Sequence, residues 1–126
     1  MTLPTDDRDA LFKAFGRAFF KEDLDALYDA VVTGDFAWTI NVAGDDVRVL
    51  DSRDKIADFI AERRRMLGNV RFADVVYHHA PDASFMTFRM TATDKMTGAA
   101  IERHGVERYA FRDGRLAMKD VYTRAG

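Results

Sequence analysis

Two long runs of alternating side chains, together spanning Ala99 to Arg124, are joined by Arg112-Asp113-Gly114-Arg115. An Asp-Gly pair supplies the positive backbone angles of a tight hairpin turn, so this stretch predicts two long antiparallel strands. In the first arm, one set of alternate positions is Ile101, Arg103, Gly105, Glu107, Tyr109 and Phe111, and the other is Glu102, His104, Val106, Arg108, Ala110 and Arg112. The second set is the wetter one, which turns the first inward. That face carries an apolar floor at Tyr109 and Phe111, then a carboxylate and a guanidinium. Such a mixture suits the wall of a pocket better than a dry core.

Length and charge narrow what surrounds this hairpin. A chain of 126 residues, 48% hydrophobic and 32% charged, has the composition of one globular domain covering residues 1–126. A net charge of −2 gives no basic footprint for nucleic acid. With no cysteine there is no disulfide, thiolate metal site or cysteine nucleophile. Met1 to Asp9 lacks a basic start followed by an apolar run, and no apolar stretch approaches a membrane span, so the expected location is cytoplasmic.

The first half reads as helical. Thr5 or Asp6 is placed to cap a helix from about Asp7, with Leu11, Phe12, Phe15, Ala18 and Phe19 as its buried stripe. Asp23 caps a short second helix carrying Leu24, Leu27, Tyr28 and Val31, and Gly34-Asp35 stops it before a strand over Phe36 to Asn41. Ala43 to Asp46 forms a turn and Val47 to Leu50 a short strand. Asp51 or Ser52 then caps a third helix, which runs to about Leu67 and ends at Gly68-Asn69. Its inward stripe is Ile56, Phe59, Ile60, Arg63 and Leu67. Of Arg63, Arg64 and Arg65, only Arg63 has the spacing to lean inward. From Val70 onward the pattern is β: Val70 to His79, Ser84 to Asp94, and the hairpin, with turns at Pro81-Asp82 and Lys95 to Gly98. Helices first and a meander afterwards imply α+β, with helices packed on one face of a curved antiparallel sheet.

Among chemistry-bearing residues Glu107 stands first, because an inward carboxyl among apolar neighbours is a candidate acid, base or hydrogen-bond donor. Its candidate counter-charge is Arg103, about 13 Å away along the strand, with Arg63 or a neighbouring strand as the alternative. His78 and His79 project to opposite faces of a strand and cannot share a metal, and no acidic partner stands at ligand spacing, so no metal site is expected. Trp38 and Tyr28 suit either a cavity wall or core packing. No phosphate loop, nucleophile elbow or zinc-protease spacing occurs, which leaves no cofactor motif. Gly105, between Arg103 and Glu107, is read as a bulge or bend.

The capped aromatic helix, Glu22-Asp23-Leu24-Asp25-Ala26-Leu27, Gly34-Asp35-Phe36-Ala37-Trp38, the helix after Ser52 with Ile56 and Phe59, and Phe111-Arg112-Asp113-Gly114-Arg115-Leu116 together resemble the NTF2-like superfamily. Within it the match is to the SnoaL-like and ketosteroid-isomerase-like branches. The resemblance implies a cone: a strongly bent sheet around an internal pocket, closed by helices, and often a homodimer through the sheet's outer face. Against the isomerase pattern, the oxyanion tyrosine falls on Phe15 and the catalytic base near Thr39 to Asn41, where no carboxylate stands. The second oxyanion donor falls on Glu107. The histidines of the dehydratase branch have only His79 and His104 to match, neither at the matching position. For the last strand, the isomerase register turns Lys119 inward, whereas the apolar pattern turns Leu116, Met118, Asp120 and Tyr122 inward.

The resulting expectation is a small-molecule pocket protein without cofactor. It carries out isomerase, cyclase or hydratase chemistry on a hydrophobic carbonyl-bearing or cyclic substrate, or serves as a non-catalytic binding or dimeric module. Glu107 is the expected proton-transfer group and Arg103 the charge stabiliser. Phe15, Phe19, Trp38, Ile40, Phe59, Arg63, Met86, Phe88 and Tyr109 are the expected ligand contacts.

Overall fold

The computed structural model describes residues 2–42 and 47–125. Three helices, α1 (Thr5–Phe20), α2 (Leu24–Ala26, continuing into a π-turn at Leu27–Val31) and α3 (Arg53–Met66), accompany six strands. The strands are β1 (Val32–Val42), β2 (Arg48–Leu50), β3 (Leu67–His79), β4 (Ser84–Asp94), β5 (Ala100–Arg112) and β6 (Arg115–Ala125). They form one sheet in the order β2-β1-β6-β5-β4-β3. This is the α+β arrangement expected, with one departure: β1 pairs β6 in parallel, so the sheet is mixed.

The hairpin turn forms as its residues require, with Asp113 at φ 55° and Gly114 at φ 74°. Asp23 and Ser52 cap their helices, accepting from the backbone N–H groups of Ala26 at 3.0 Å and Lys55 at 3.2 Å. The turn read at Ala43 to Asp46 lies outside the described residues.

Several boundaries move. α1 begins at Thr5 after Pro4, without a side-chain cap, because Arg8 secures its start. The Arg8 guanidinium is buried and donates to the carbonyls of Leu3 (2.8 Å), Ala80 (2.6 Å), Pro81 (2.9 Å) and Ala83 (3.1 Å), and to Ser84 Oγ (3.0 Å). It also lies 4.9 Å from the Phe111 ring centre. Gly34-Asp35 does not stop α2; the chain becomes extended at Val32, and both residues lie within β1. Gly68-Asn69 does not cap α3 either. The chain runs from Met66 directly into β3, and Lys95 supplies the missing donors, its backbone N–H to the Met66 carbonyl (2.9 Å) and its Nζ to the Arg64 carbonyl (2.8 Å).

Curvature comes from bulges. In β3, one extra residue is inserted between Gly68 and Arg71 and another between Ala73 and Val76, with Asn69 at φ 52° and Asp74 at φ 55°. Gly105 is not a bulge: β4 and β5 pair without a shift from Ser84↔Tyr109 to Thr93↔Ala100. The glycine makes room for a ring instead, since a Cβ there would stand 2.3 Å from Phe88 Cζ.

The core fills the space between the helices and the concave face, with Phe12, Phe15, Leu27, Phe36, Trp38, Ile56, Met86, Phe88, Tyr109 and Leu116 at its centre. Replacing Arg8 by Met removes the donor that the Ala80 and Pro81 carbonyls share and is expected to lower the unfolding free energy by about 3 kcal/mol. Gly105→Ala is expected to cost about 1–3 kcal/mol by overpacking against Phe88. Urea denaturation of the purified variants checks both.

Candidate functional site

On β5, alternate residues face the concave side, which brings Glu107 and Tyr109 together. Glu107 is 5% exposed, and the Tyr109 hydroxyl donates a hydrogen bond to its carboxylate. The register then determines what stands beside them. Lys119 on β6 is opposite Tyr109 on one side and opposite Trp38 of β1 on the other. Its Nζ lies 3.5 Å from Glu107 Oε1, and the residue is 6% exposed. Rings surround the ammonium at 4.1 Å (Trp38), 4.4 Å (Phe15, from α1) and 5.8 Å (Tyr109) to their centres.

Lys119 reaches this place through a bulge. Between Ala110↔Met118 and Phe111↔Leu116, β6 spends two residues where β5 spends one. Ala117 is the extra residue, so Leu116 and Lys119 are both buried although three positions apart. The two readings of the last strand were therefore each right for part of it. Strict alternation cannot represent such an insertion.

The place beside Glu107 that the sequence reading gave to Arg103 is occupied by Lys119. Arg103 is half-buried, opposite Met90 and Ala125, and makes no hydrogen bond or ion pair with Glu107. Arg63 does lean inward from α3, its guanidinium 5.2 Å from the Phe19 ring and 5.7 Å from Phe72. Phe19 and Phe59 pack edge-on to Trp38, at 5.4 and 5.2 Å between centres. Met86 and Phe88 are buried on β4 opposite Glu107 and Gly105, while Ile40 is half-buried opposite Val121. Tyr28 sits beneath Arg53, whose guanidinium is 5.8 Å from its ring. Sequence reading did not single out Phe12 and Tyr77 for the site. Phe12 stacks on Tyr77 at 4.7 Å and meets Tyr109 at the same distance, extending the aromatic lining toward β3. Their apolar and strand-edge positions carried no signal beyond core packing.

These groups perturb one another. Burial, and secondarily the Glu107 charge, raises the Tyr109 phenol well above its ordinary pKa. Burial likewise raises Tyr77, with Glu107 and Asp9 contributing. Burial lowers Lys119, opposed by the Glu107 carboxylate and reinforced by the Arg63 charge. It lowers Arg63 too, against the pull of Glu107. One carboxylate thus faces an amine, a guanidinium and two phenols in a poorly solvated volume. Trp38 Nε1, also buried, has no hydrogen-bond partner among the described residues.

The histidines are engaged elsewhere. His79 bonds Ser84 Oγ through Nδ1 (2.8 Å) and Asp9 through Nε2 (3.2 Å). That Asp-His-Ser chain has the composition of a nucleophilic relay, but Ser84 is fully buried and already accepts from Arg8, so it serves to hold α1 on the sheet. His104 meets Glu102 on the outer face. Among the described residues no three acidic or histidine side chains converge on a metal position, and no helix is long and apolar enough to cross a membrane. Among the described residues, a recess of about 130 Å³ between α2 and α3 and another of about 240 Å³ beside α1 and α2 are lined by neither Glu107 nor Lys119.

Comparison with known proteins adds the lineage. The chain is similar in fold to an NTF2-like protein from Burkholderia xenovorans, at 16% identity over 98% of this chain and 91% of that one, with a TM-score of 0.81. A candidate polyketide cyclase from Xanthomonas campestris aligns at 18% identity over 93% and 90%, with a TM-score of 0.72. A ketosteroid-isomerase-like fold from Catenulispora acidiphila, solved in complex with trimethylamine, aligns at 15% identity over 89% and 83%, with a TM-score of 0.68. No curated protein matches the sequence. The model of the SnoaL-like domain matches residues 12–118, and the chain belongs to that family, with the NTF2-like fold.

Proposed function

We propose that this protein binds a small apolar molecule on the concave side of its sheet and moves a proton on it without a cofactor, in an isomerisation, cyclisation or hydration of a carbonyl-bearing or cyclic substrate. The observation that carries this reading is the buried Glu107 carboxyl, hydrogen-bonded by Tyr109 and 3.5 Å from Lys119 Nζ. A carboxylate held among proton donors in a dry volume is equipped to accept a proton from carbon and return it. The charge of the resulting enolate has nearby compensation, because Lys119 and Arg63 are two cations facing one carboxylate. Arg103, one step beyond Gly105 on the same face, adds a further positive charge. Phe15, Phe19, Trp38, Ile40, Phe59, Met86, Phe88 and Tyr109 supply the apolar contact. Substrate enters by parting the rings that close over Lys119, at a cost met by its own burial. A cyclase candidate and a trimethylamine complex among proteins of this fold support a small-molecule role.

A second reading, a dimeric binding module, draws on the opposite face. Val76, Thr87, Val106 and Tyr122 lie in one row across β3, β4, β5 and β6. Val76, Val106 and Tyr122 are 48%, 40% and 53% exposed. Charges of both signs flank the row, with Arg108 opposite Asp120 and His104 opposite Arg124. An apolar centre with a mixed-charge rim fits self-association about a two-fold axis.

The two readings separate experimentally. In D₂O, the protein is expected to accelerate α-proton exchange of at least one member of a panel of cyclic ketones, followed by proton NMR. Glu107→Gln is expected to remove about 10²- to 10⁴-fold of that rate while leaving the circular dichroism spectrum unchanged. Equal exchange in both proteins excludes Glu107 as the proton carrier. Light scattering during gel filtration is expected to give a dimer for the parent and a monomer for Val106→Asp, since a carboxylate at the centre of the interface is buried unpaired. A monomeric parent excludes the dimer.

A further inference from the structure

Of the five lysines in the chain, Lys13, Lys21, Lys55 and Lys95 are exposed and Lys119 alone is withdrawn from solvent. Its amine is held among the Phe15, Trp38 and Tyr109 rings, which favour a cation only by their quadrupoles, and a single carboxylate stands at 3.5 Å. Burial and Arg63 both act against the ammonium form, and the pKa lies below that of an ordinary lysine. The surroundings of this amine thus favour its neutral form more than water does. The free base, not the ammonium, is the nucleophile.

Three neighbours match the needs of an amine that attacks a carbonyl. Glu107 is close enough to take the ammonium proton. Tyr109 donates to the same carboxylate, so a proton leaving nitrogen has a two-member relay to follow. Trp38, whose ring is the one nearest to Nζ, carries a buried N–H with no acceptor among the described residues. An oxygen atom entering the box is the acceptor it lacks.

We propose that Lys119 captures a small apolar aldehyde or ketone as a protonated imine inside this aromatic box, with Glu107 and Tyr109 carrying the protons. The proposal rests on the acid/base reading above, from which it takes the carbonyl class of ligand. Glu107 first removes one proton from the ammonium. The Nζ lone pair then forms the N–C bond while the carbonyl π pair moves to oxygen, where the Trp38 N–H is the available donor. A second proton passes from nitrogen to that oxygen through the Tyr109–Glu107 relay, giving a neutral carbinolamine. Glu107 gives its first proton to the hydroxyl, the C–O bond breaks, and water leaves as the nitrogen lone pair forms C=N. Nitrogen retains one hydrogen, the carboxylate is restored, and the net change is loss of one water, with no oxidant or reductant. The iminium is a stronger electron sink than the parent carbonyl, so the C–H beside it becomes acidic enough for the same carboxylate to abstract.

Reductive trapping tests this. Butanal or cyclohexanone is incubated with the folded protein at pH 7 and sodium cyanoborohydride, and the digested protein is mapped by mass spectrometry. The secondary-amine adduct is expected on the Lys119 peptide in clear excess over any of the four exposed lysines. No adduct on Lys119, or labelling there no faster than at exposed lysines, overturns the proposal. Lys119→Arg, and Lys119→Met should the arginine be accommodated poorly, are expected to lose that adduct alone; the wild-type map stands without either. Glu107→Gln separates the two readings. Trapping at Lys119 in the parent, with α-proton exchange indifferent to Glu107→Gln, upholds the imine and sinks the carboxylate as base on carbon, whereas trapping undiminished in Glu107→Gln removes Glu107 from the imine step. Glu107-dependent exchange without a Lys119 adduct does the reverse.

Discussion

A single inserted residue on β6 decides what the interior of this protein contains. Without the bulge at Ala117, alternation along the strand would place Leu116 and Lys119 on opposite faces, and the amine would lie in water. With it, Leu116 is fully buried in the core and Lys119 enters beside Glu107. The bulge is anchored from both sides: β5 pairs continuously with β6 from Ala110 back to Arg103, and β1 pairs it in parallel from Ala37 to Val42. The register of three strands therefore sets the geometry of the charge cluster, and the rings of Trp38 and Tyr109 follow as the two lateral neighbours of Lys119.

Burying an amine and a carboxylate together is not an economical way to stabilise a small fold. Desolvating two charges costs several kcal/mol each, and mutual attraction returns that only with good geometry and further hydrogen bonds. Here Tyr109 satisfies part of the carboxylate and three rings face the ammonium, but Trp38 Nε1 and the nearby Arg63 charge leave the cluster incompletely balanced. The proposed reactivity gives a reason to keep such a cluster where an apolar core would also pack. Arg8 provides the contrast within the same molecule. It is just as buried, yet four backbone carbonyls and a hydroxyl consume its donors, and its role is to tie α1 to the β3–β4 turn.

Much of the architecture was legible because it rests on local chemistry. Asp113-Gly114 specified the hairpin, Asp23 and Ser52 specified helix starts, and the period-two pattern of β5 turned Glu107 inward. The boundaries that moved did so where a distant residue replaced a local signal. Lys95 satisfied the end of α3 in place of Gly68-Asn69, and Arg8 secured the start of α1 in place of a capping hydroxyl. Gly105 suggests a bulge or a bend from sequence, since a strand glycine alone does not reveal that a ring from the next strand needs its space.

The sequence by itself determined the elements, their order and the inward carboxylate, because propensity, capping and alternation act over a few neighbouring residues. Only the tertiary structure decided which cation meets that carboxylate. Arg103 shares its strand and face with Glu107 and is held away by the rise of the strand, about 13 Å over four residues, whereas Lys119 is twelve residues distant in the chain and is brought to 3.5 Å by strand pairing and one bulge. Distance across a sheet is set by register, and register belongs to the fold as a whole.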